Sequence, residues 1–129
     1  MKGIILFSNL MEDNEALGTN ALLRRSGINI SSVSLEVTKT VKTSYNQEII
    51  ADLHISEINI KDYDFLVIPG GPYVSKTIND NEKIYKIINE FKDQNKLIAA
   101  ICAAPRFLGR TGILDNLEYT AFPGSENDM

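Results

Sequence analysis

The segment around Cys102 has the layout of a nucleophile elbow. Residues 97–109, LIAAICAAPRFLG, place the one cysteine of the chain between an apolar run and Pro105. The neighbouring alanines leave room for a sharp turn, and proline suits the first turn of a helix, where its missing N–H costs nothing. The free N–H groups and the dipole of a helix start favour thiolate over thiol. The pattern predicts a reactive Cys102, and a small buried core cysteine is the competing interpretation.

Two further strand ends supply groups that could act with Cys102. Gly70 and Gly71 follow the apolar run LVIP, and Glu15 opens the helix after the first strand. In a parallel sheet such positions meet at one edge, at the carboxyl ends of the strands. A carboxyl beside a thiolate is expected to stay protonated and to donate a hydrogen bond to the sulfur, because adjacent anions repel. A plain tight turn and a dipole-complementing acid are the alternatives for these residues.

The composition limits the class of protein and the cofactors that it can use. The chain has 129 residues, with 13 basic and 17 acidic side chains and a formal net charge of −4, so no basic surface is expected for nucleic acid or an anionic membrane. One cysteine and one histidine are too few for a disulfide or a cysteine-based zinc site, and we expect neither metal nor cofactor. No apolar run approaches the roughly 20 residues of a membrane span, and the N-terminus lacks signal-peptide character, which predicts a cytoplasmic protein.

Strands and helices are predicted to alternate along the chain. The clearest helix has apolar residues at helical spacing over 84–91, after cap candidates at 79–81. An earlier helix at 15–26 ends at Gly27 and is expected to bury a stripe made of Ala16, Leu17, Ala21 and Leu22. Strands are predicted at residues 2–7, 28–37, 65–68, 97–101 and 118–122, with a hairpin within 41–51.

This alternation predicts βαβ units and a doubly wound, mainly parallel α/β sheet with right-handed crossovers. The strand at 97–101 shows no polar alternation, so we expect it to be buried on both faces. No linker, repeat or low-complexity tract divides the chain, and one domain over residues 1–129 is expected.

Four segments, in order along the chain, together resemble the DJ-1/ThiJ/PfpI superfamily and most closely its DJ-1/YajL branch. They are EALGTNALLRRSGI at 15–28, DYDFLVIPGG at 62–71, LIAAICAAP at 97–105 and YTAFPGSEND at 119–128. The resemblance implies a flavodoxin-like domain with helices on both faces of the sheet, and usually a homodimer. Relatives continue with a further strand and a terminal helix. The resemblance therefore also implies that this chain lacks the C-terminal part, with a C-terminal fragment of the same protein as a candidate partner.

Residue by residue, the resemblance makes Cys102 the reactive cysteine and Glu15 its hydrogen-bond partner. It implies that the backbone N–H groups of Gly71 and Ala103 form the oxyanion hole beside the sulfur. Roles proposed for relatives include hydration of glyoxal and methylglyoxal, repair of early glycation adducts, sensing of oxidative stress and chaperone action.

The chain departs from the family pattern at three positions. Ala103 replaces the histidine that follows the cysteine in the protease-like branch. Phe122 stands where some relatives carry a histidine, and Tyr45 where some carry an arginine near the hairpin. Without these groups, Cys102 and Glu15 must carry any acid–base chemistry.

This pattern is compatible with two functions and disfavours a third. The first is an enzyme in which Cys102 attacks a small aldehyde or a glycated substrate, with a 2-hydroxy acid as product. The second is a redox sensor or chaperone-like binding protein in which Cys102 is oxidised without turnover. The third, a class I glutamine amidotransferase, is disfavoured because alanines replace the glycines of its elbow and no histidine lies beyond Cys102.

Overall fold

In the computed structural model, which describes residues 1–128, the chain follows the predicted alternation of strands and helices. The strands are β1 (Lys2–Phe7), β2 (Asn29–Ser34), β3 (Thr40–Lys42), β4 (Glu48–Ile50), β5 (Leu53–His54), β6 (Phe65–Ile68) and β7 (Leu97–Ala100). The helices are α1 (Thr19–Arg25), α2 (Tyr73–Thr77), α3 (Glu82–Asp93) and α4 (Pro105–Arg110), and a π-helical turn, Asn14–Gly18, runs directly into α1. Met129, the last residue of the predicted domain, lies outside the described residues.

Five of the strands form one parallel sheet in the order β5–β2–β1–β6–β7. The antiparallel pair β3–β4 is a separate hairpin. The chain crosses from β1 to β2 through α1, and from β6 to β7 through α2 and α3. This is the predicted doubly wound, mainly parallel α/β fold, and it brings the carboxyl ends of β1, β6 and β7 to one edge.

The core is formed around β1, β6 and the buried face of α3. The side chains of β6 are all buried, and in β1 only Lys2 is exposed. The predicted apolar face of α3 is buried, and Asn81 caps this helix by accepting the N–H of Ile84. The fully buried aromatic side chains of the core are Phe7, Phe91 and Phe107. The helical spacing in the sequence therefore identified the core face of α3 correctly.

Two predicted strands differ from the observed ones. The strand at 97–101 was expected to be buried on both faces, but β7 is the edge strand of the sheet, and the exposed fraction of Leu97 is 62%. Residues 118–122 form no strand. One backbone hydrogen bond, from Phe122 N–H to Cys102 O at 2.8 Å, ties the end of this segment to the chain. Because strand pairing needs a repeated ladder of such bonds, the segment does not extend the sheet beyond β7.

The predicted inner stripe of the first helix is also wrong. Ala16 is fully buried and Leu17 is half-buried, but Ala21 and Leu22 point to solvent. The π-helical turn adds a residue to the first turn of this helix, so it rotates the later residues away from the face that regular α-helical spacing predicts.

The buried carboxylate of Asp13 joins the β3–β4 hairpin to the segment that carries Glu15. Its oxygens accept hydrogen bonds from the Thr43 hydroxyl, the Gln47 amide and the Tyr45 N–H. Burial by itself would raise the pKa of Asp13, but these hydrogen bonds lower it below its usual range. The carboxylate therefore holds the hairpin in place as an anion.

Candidate active site

Cys102 lies in a sharp turn between β7 and α4. Its φ is +60°, in the left-handed region that side chains other than glycine rarely adopt. Before the turn, Ile101 N–H still bonds Ile68 O of β6 at 3.2 Å, and after it Ala104 N–H bonds Ile101 O at 3.0 Å. These contacts hold the strained backbone, which is the geometry of a nucleophile elbow. The thiol is free and half-buried.

Glu15 reaches this turn from the π-helical turn after β1. Its Oε1 accepts the Gly70 N–H at 2.8 Å, and it lines the same pocket as Cys102. Glu12 supports this position twice: its Oε2 accepts the Glu15 N–H at 2.9 Å, and its own N–H bonds Gly70 O at 2.9 Å. The carboxyl is therefore fixed against both other strand ends, as the parallel topology predicts.

Gly70 has a part in the site that the sequence did not reveal. A Cβ at this position would lie 2.5 Å from Glu15 Oε1 and 2.9 Å from Ile101 O. The absent side chain thus allows the carboxyl and the elbow to approach the end of β6. The double glycine is the sequence signal for this position. The Gly70 N–H binds Glu15, which is a separate role from the oxyanion-hole donor predicted at Gly71.

Gly71 and Ala103, the two predicted donors of the oxyanion hole, both line the pocket at Cys102. The backbone N–H of Ala103 acts to lower the pKa of the Cys102 thiol. Gly71 has a φ of +132°, and a Cβ there would lie 2.6 Å from both Leu10 O and Glu12 N. The structure therefore brings Cys102, Glu15, Gly71 and Ala103 together around one space.

Burial raises the pKa of the Cys102 thiol, and the charge and the hydrogen bond of Glu15 raise it further, against a smaller lowering by the Ala103 N–H. Burial likewise raises the pKa of Glu15, although hydrogen bonds from Gly70 and Cys102 oppose it. Burial and the neighbouring carboxylate thus act against the thiolate that the helix start was expected to favour. The two groups titrate as a coupled pair, and loss of the second proton is shifted to higher pH.

The pocket has a volume of about 360 Å³ and is open to solvent. Phe122 forms one wall, and its N–H bonds Cys102 O at 2.8 Å. Ser75 and Arg106 also line it, and the sequence prediction missed both. The sequence carries a signal for both: Ser75 lies four residues after Gly71, and Arg106 lies four residues after Cys102. Four residues is about one helical turn.

Two further features concern metal sites and membrane-spanning helices. Within residues 1–128, no group of three or more His, Cys, Asp or Glu side chains could hold a metal ion. None of the helices in this part of the chain is long and apolar enough to cross a membrane.

The fold and the elbow define a class of α/β proteins that carry a cysteine at the carboxyl edge of a parallel sheet. The model of the DJ-1/PfpI family matches residues 1–129. The chain therefore belongs to the DJ-1/PfpI family, as the four ordered sequence segments predicted.

Three similar proteins illustrate the relationship. A deglycase from Pyrococcus horikoshii is 30% identical over 129 residues, which cover 100% of this chain and 76% of that protein. The protein dj-1beta of Drosophila melanogaster is 27% identical over 126 residues, covering 98% of this chain and 67% of that one. Among solved structures, oxidised DJ-1 of Toxoplasma gondii superimposes with a TM-score of 0.89 at 31% identity, covering 99% of this chain and 70% of that one.

Proposed function

We propose that this protein is a cysteine-dependent enzyme that acts on small reactive aldehydes or early glycation adducts, with Cys102 as nucleophile. The observation that carries the proposal is the placement of Glu15, held by the Gly70 N–H, in the same open pocket as Cys102. Relatives named as deglycases, at about 30% identity, support the same class of activity. A free thiol is also compatible with action in the reducing cytoplasm.

The first step joins the thiol to the aldehyde of a 2-oxoaldehyde. The Glu15 carboxylate takes the thiol proton as the sulfur bonds to the aldehyde carbon, and the carbonyl π pair moves to oxygen. The backbone N–H groups of Gly71 and Ala103 are the proposed donors to this oxygen, which then takes the proton from Glu15 to complete a hemithioacetal. Because the pKa of Cys102 is raised, the reaction depends on a base next to the sulfur, and Glu15 is that base.

The second step is an internal oxidation and reduction that needs no cofactor. Glu15 removes the hydrogen of the former aldehyde carbon as a proton, and the hydroxyl proton of that carbon moves to the neighbouring carbonyl oxygen. Glu15 then returns its proton to the neighbouring carbon as the enediolate collapses. The former aldehyde carbon becomes a thioester and its neighbour an alcohol. Water then cleaves the thioester, which releases a 2-hydroxy acid and restores the thiol.

The raised pKa also separates this function from the redox-sensor alternative. Sensor cysteines are low-pKa, accessible thiols, because the thiolate is the form that peroxide oxidises. Burial and the charge of Glu15 act against that form at Cys102. The arrangement therefore favours a thiol that is activated by its base once a substrate is bound.

The test measures consumption of methylglyoxal and formation of lactate by the purified protein. We expect Cys102→Ser to reduce turnover to background and Glu15→Gln to reduce it by about a hundredfold or more, the usual size of general-base catalysis. Glu118→Gln, the same chemical change at an exposed residue, should leave the rate unchanged. Lactate formation that survives Cys102→Ser would overturn the proposal, and so would oxidation of Cys102 without any lactate.

A further inference from the structure

The pocket at Cys102 is lined by a cation as well as by acidic residues. Glu12 and Glu15 enter from the segment after β1, whereas Ser75 and Arg106 come from α2 and α4. Gly71 and Ala103 precede these two helices, so Ser75 and Arg106 lie about one turn further from the sheet than the backbone beside the sulfur. The pocket is therefore lined by two carboxyl groups and a guanidinium that come from different elements.

Arg106 is held in position rather than extended into solvent. Its Nη1 donates to Ser75 Oγ at 2.8 Å, its Nε is buried, and the residue as a whole is half-buried. A guanidinium offers five N–H donors in a planar fork and can hold several acceptors at once. Its position on α4 is fixed by the same turn that presents Cys102, because Arg106 N–H bonds Ala103 O at 3.1 Å.

We propose that Arg106 and Ser75 form a carboxylate subsite, so that the pocket prefers carbonyl compounds whose reacting carbon lies next to a carboxylate, such as glyoxylate. This inference rests on the proposed function only in taking Cys102 as the reacting group. The planar fork of Arg106 matches a carboxylate in size and geometry. A phosphate fits less well, because its second charge would face Glu12 and Glu15 across a space of about 360 Å³.

The step at this subsite is the reversible addition of the thiol to the aldehyde of such an acid. The S–H bond breaks and its proton goes to Glu15. The S–C bond forms as the carbonyl π pair moves to oxygen, and Glu15 passes the proton to that oxygen to give a hemithioacetal. The carboxylate of the ligand stays ionised on Arg106 throughout. No electron leaves or enters the adduct.

Alkylation of Cys102 by iodoacetate and by iodoacetamide tests the subsite without requiring turnover. Both reagents are attacked by sulfur and lose iodide, but only iodoacetate carries a carboxylate. Cys102 is the one cysteine of the chain, so the mass of the protein reports a single reaction. We expect Arg106→Gln to lower the ratio of the iodoacetate rate to the iodoacetamide rate by roughly tenfold, as for the loss of one charge-assisted hydrogen bond.

Arg110→Gln is the matched control. Arg110 lies on the same helix and binds Asn79 as Arg106 binds Ser75, but it lines a different cavity. The control changes the net charge equally and should leave the ratio unchanged. If Arg106→Gln does not fold, Ser75→Ala removes the anchor instead and should lower the ratio by a smaller factor.

Two results would overturn the inference: an equal ratio in the wild type and Arg106→Gln, or an equal fall in Arg110→Gln. Protection of Cys102 from iodoacetamide gives a second readout, since glyoxylate should protect the wild type better than Arg106→Gln, while glyoxal protects both alike. A protein that shows the Arg106-dependent ratio but makes no lactate from methylglyoxal would retain the subsite and refute the proposed function.

Discussion

The proton held between Cys102 and Glu15 controls the chemistry of this site at the residue scale. Burial raises the pKa of both groups; the Glu15 charge raises that of Cys102 further, whereas hydrogen bonds from Gly70 and Cys102 hold that of Glu15 down. A Glu15 carboxylate hydrogen-bonded to Gly70 can accept the proton of the thiol without leaving its place. The pair is therefore suited to moving one proton back and forth during catalysis.

The pH dependence of alkylation measures this coupling. In the wild type, the iodoacetamide rate should rise with pH through a midpoint above that of an ordinary cysteine, because the folded-state pKa of Cys102 is raised. Glu15→Gln removes the negative charge, so its midpoint should lie lower and its alkylation at neutral pH should be several-fold faster. Turnover of methylglyoxal should fall in the same variant. A midpoint that moves upward in Glu15→Gln would mean that Glu15 donates its proton to a thiolate.

At the scale of elements, the site depends on how closely three strand ends approach one another. β1 supplies Glu15 through the π-helical turn, β6 ends at Gly70, and β7 ends at the elbow. Gly70 is the point of contact, because its missing side chain leaves space for both Glu15 and Ile101 O. The strand order brings the three strand ends together, and the missing side chain of Gly70 lets them approach to hydrogen-bond distance.

Gly70→Ala tests this packing. The added Cβ would overlap the Glu15 carboxyl and the elbow backbone, so we expect a loss of stability of about 1–3 kcal/mol, typical of overpacking, and a displaced Glu15. Chemical denaturation measures the first effect, and the alkylation midpoint of Cys102 measures the second. Gly18→Ala is the control, since no atom lies within 4 Å of its added Cβ and helix propensity favours alanine by up to about 1 kcal/mol. Equal stability of the two variants would contradict the packing argument.

At the scale of the whole molecule, residues 1–128 leave one face of the sheet only partly covered along its β7 edge. Phe65 and Val67 of β6 lie in register with Leu97 and Ala99 of β7, and all four line an apolar groove of about 280 Å³ beside α1. Leu97 is 62% exposed, and β7 has no further strand on its outer side within the described part of the chain. An exposed apolar face next to an open edge strand favours association with another chain.

We therefore expect the protein to self-associate through this face, in line with the homodimer proposed from the family resemblance. Leu97→Glu should weaken the association by about tenfold or more, because a buried charge at an interface lacks a partner. Sedimentation at several concentrations measures the effect. Val37→Glu is the control, because Val37 is 91% exposed and lies outside the groove. A wild type that remains a monomer, or an equal effect of both substitutions, would show that this face is not an interface.

The amino-acid sequence by itself determined the features that depend on local patterns. The helical spacing over α3, a cap within 79–81 and the break after β6 are read from neighbouring residues, and they were predicted correctly. The small residues around Cys102 specified the turn, and the order of four motifs specified the family. Local signals are reliable here because capping, turn formation and helical periodicity each involve residues within a few positions of one another.

Only the tertiary structure decided the features that depend on distant residues. Gly70 binds Glu15 across 55 positions of sequence, and Arg106 meets Ser75 across 31. The pKa of Cys102 rises because folding buries the thiol beside Glu15, which a local estimate from the helix dipole does not include. The edge position of β7 likewise follows from strand order, since an apolar run has the same composition at the centre of a sheet and at its edge.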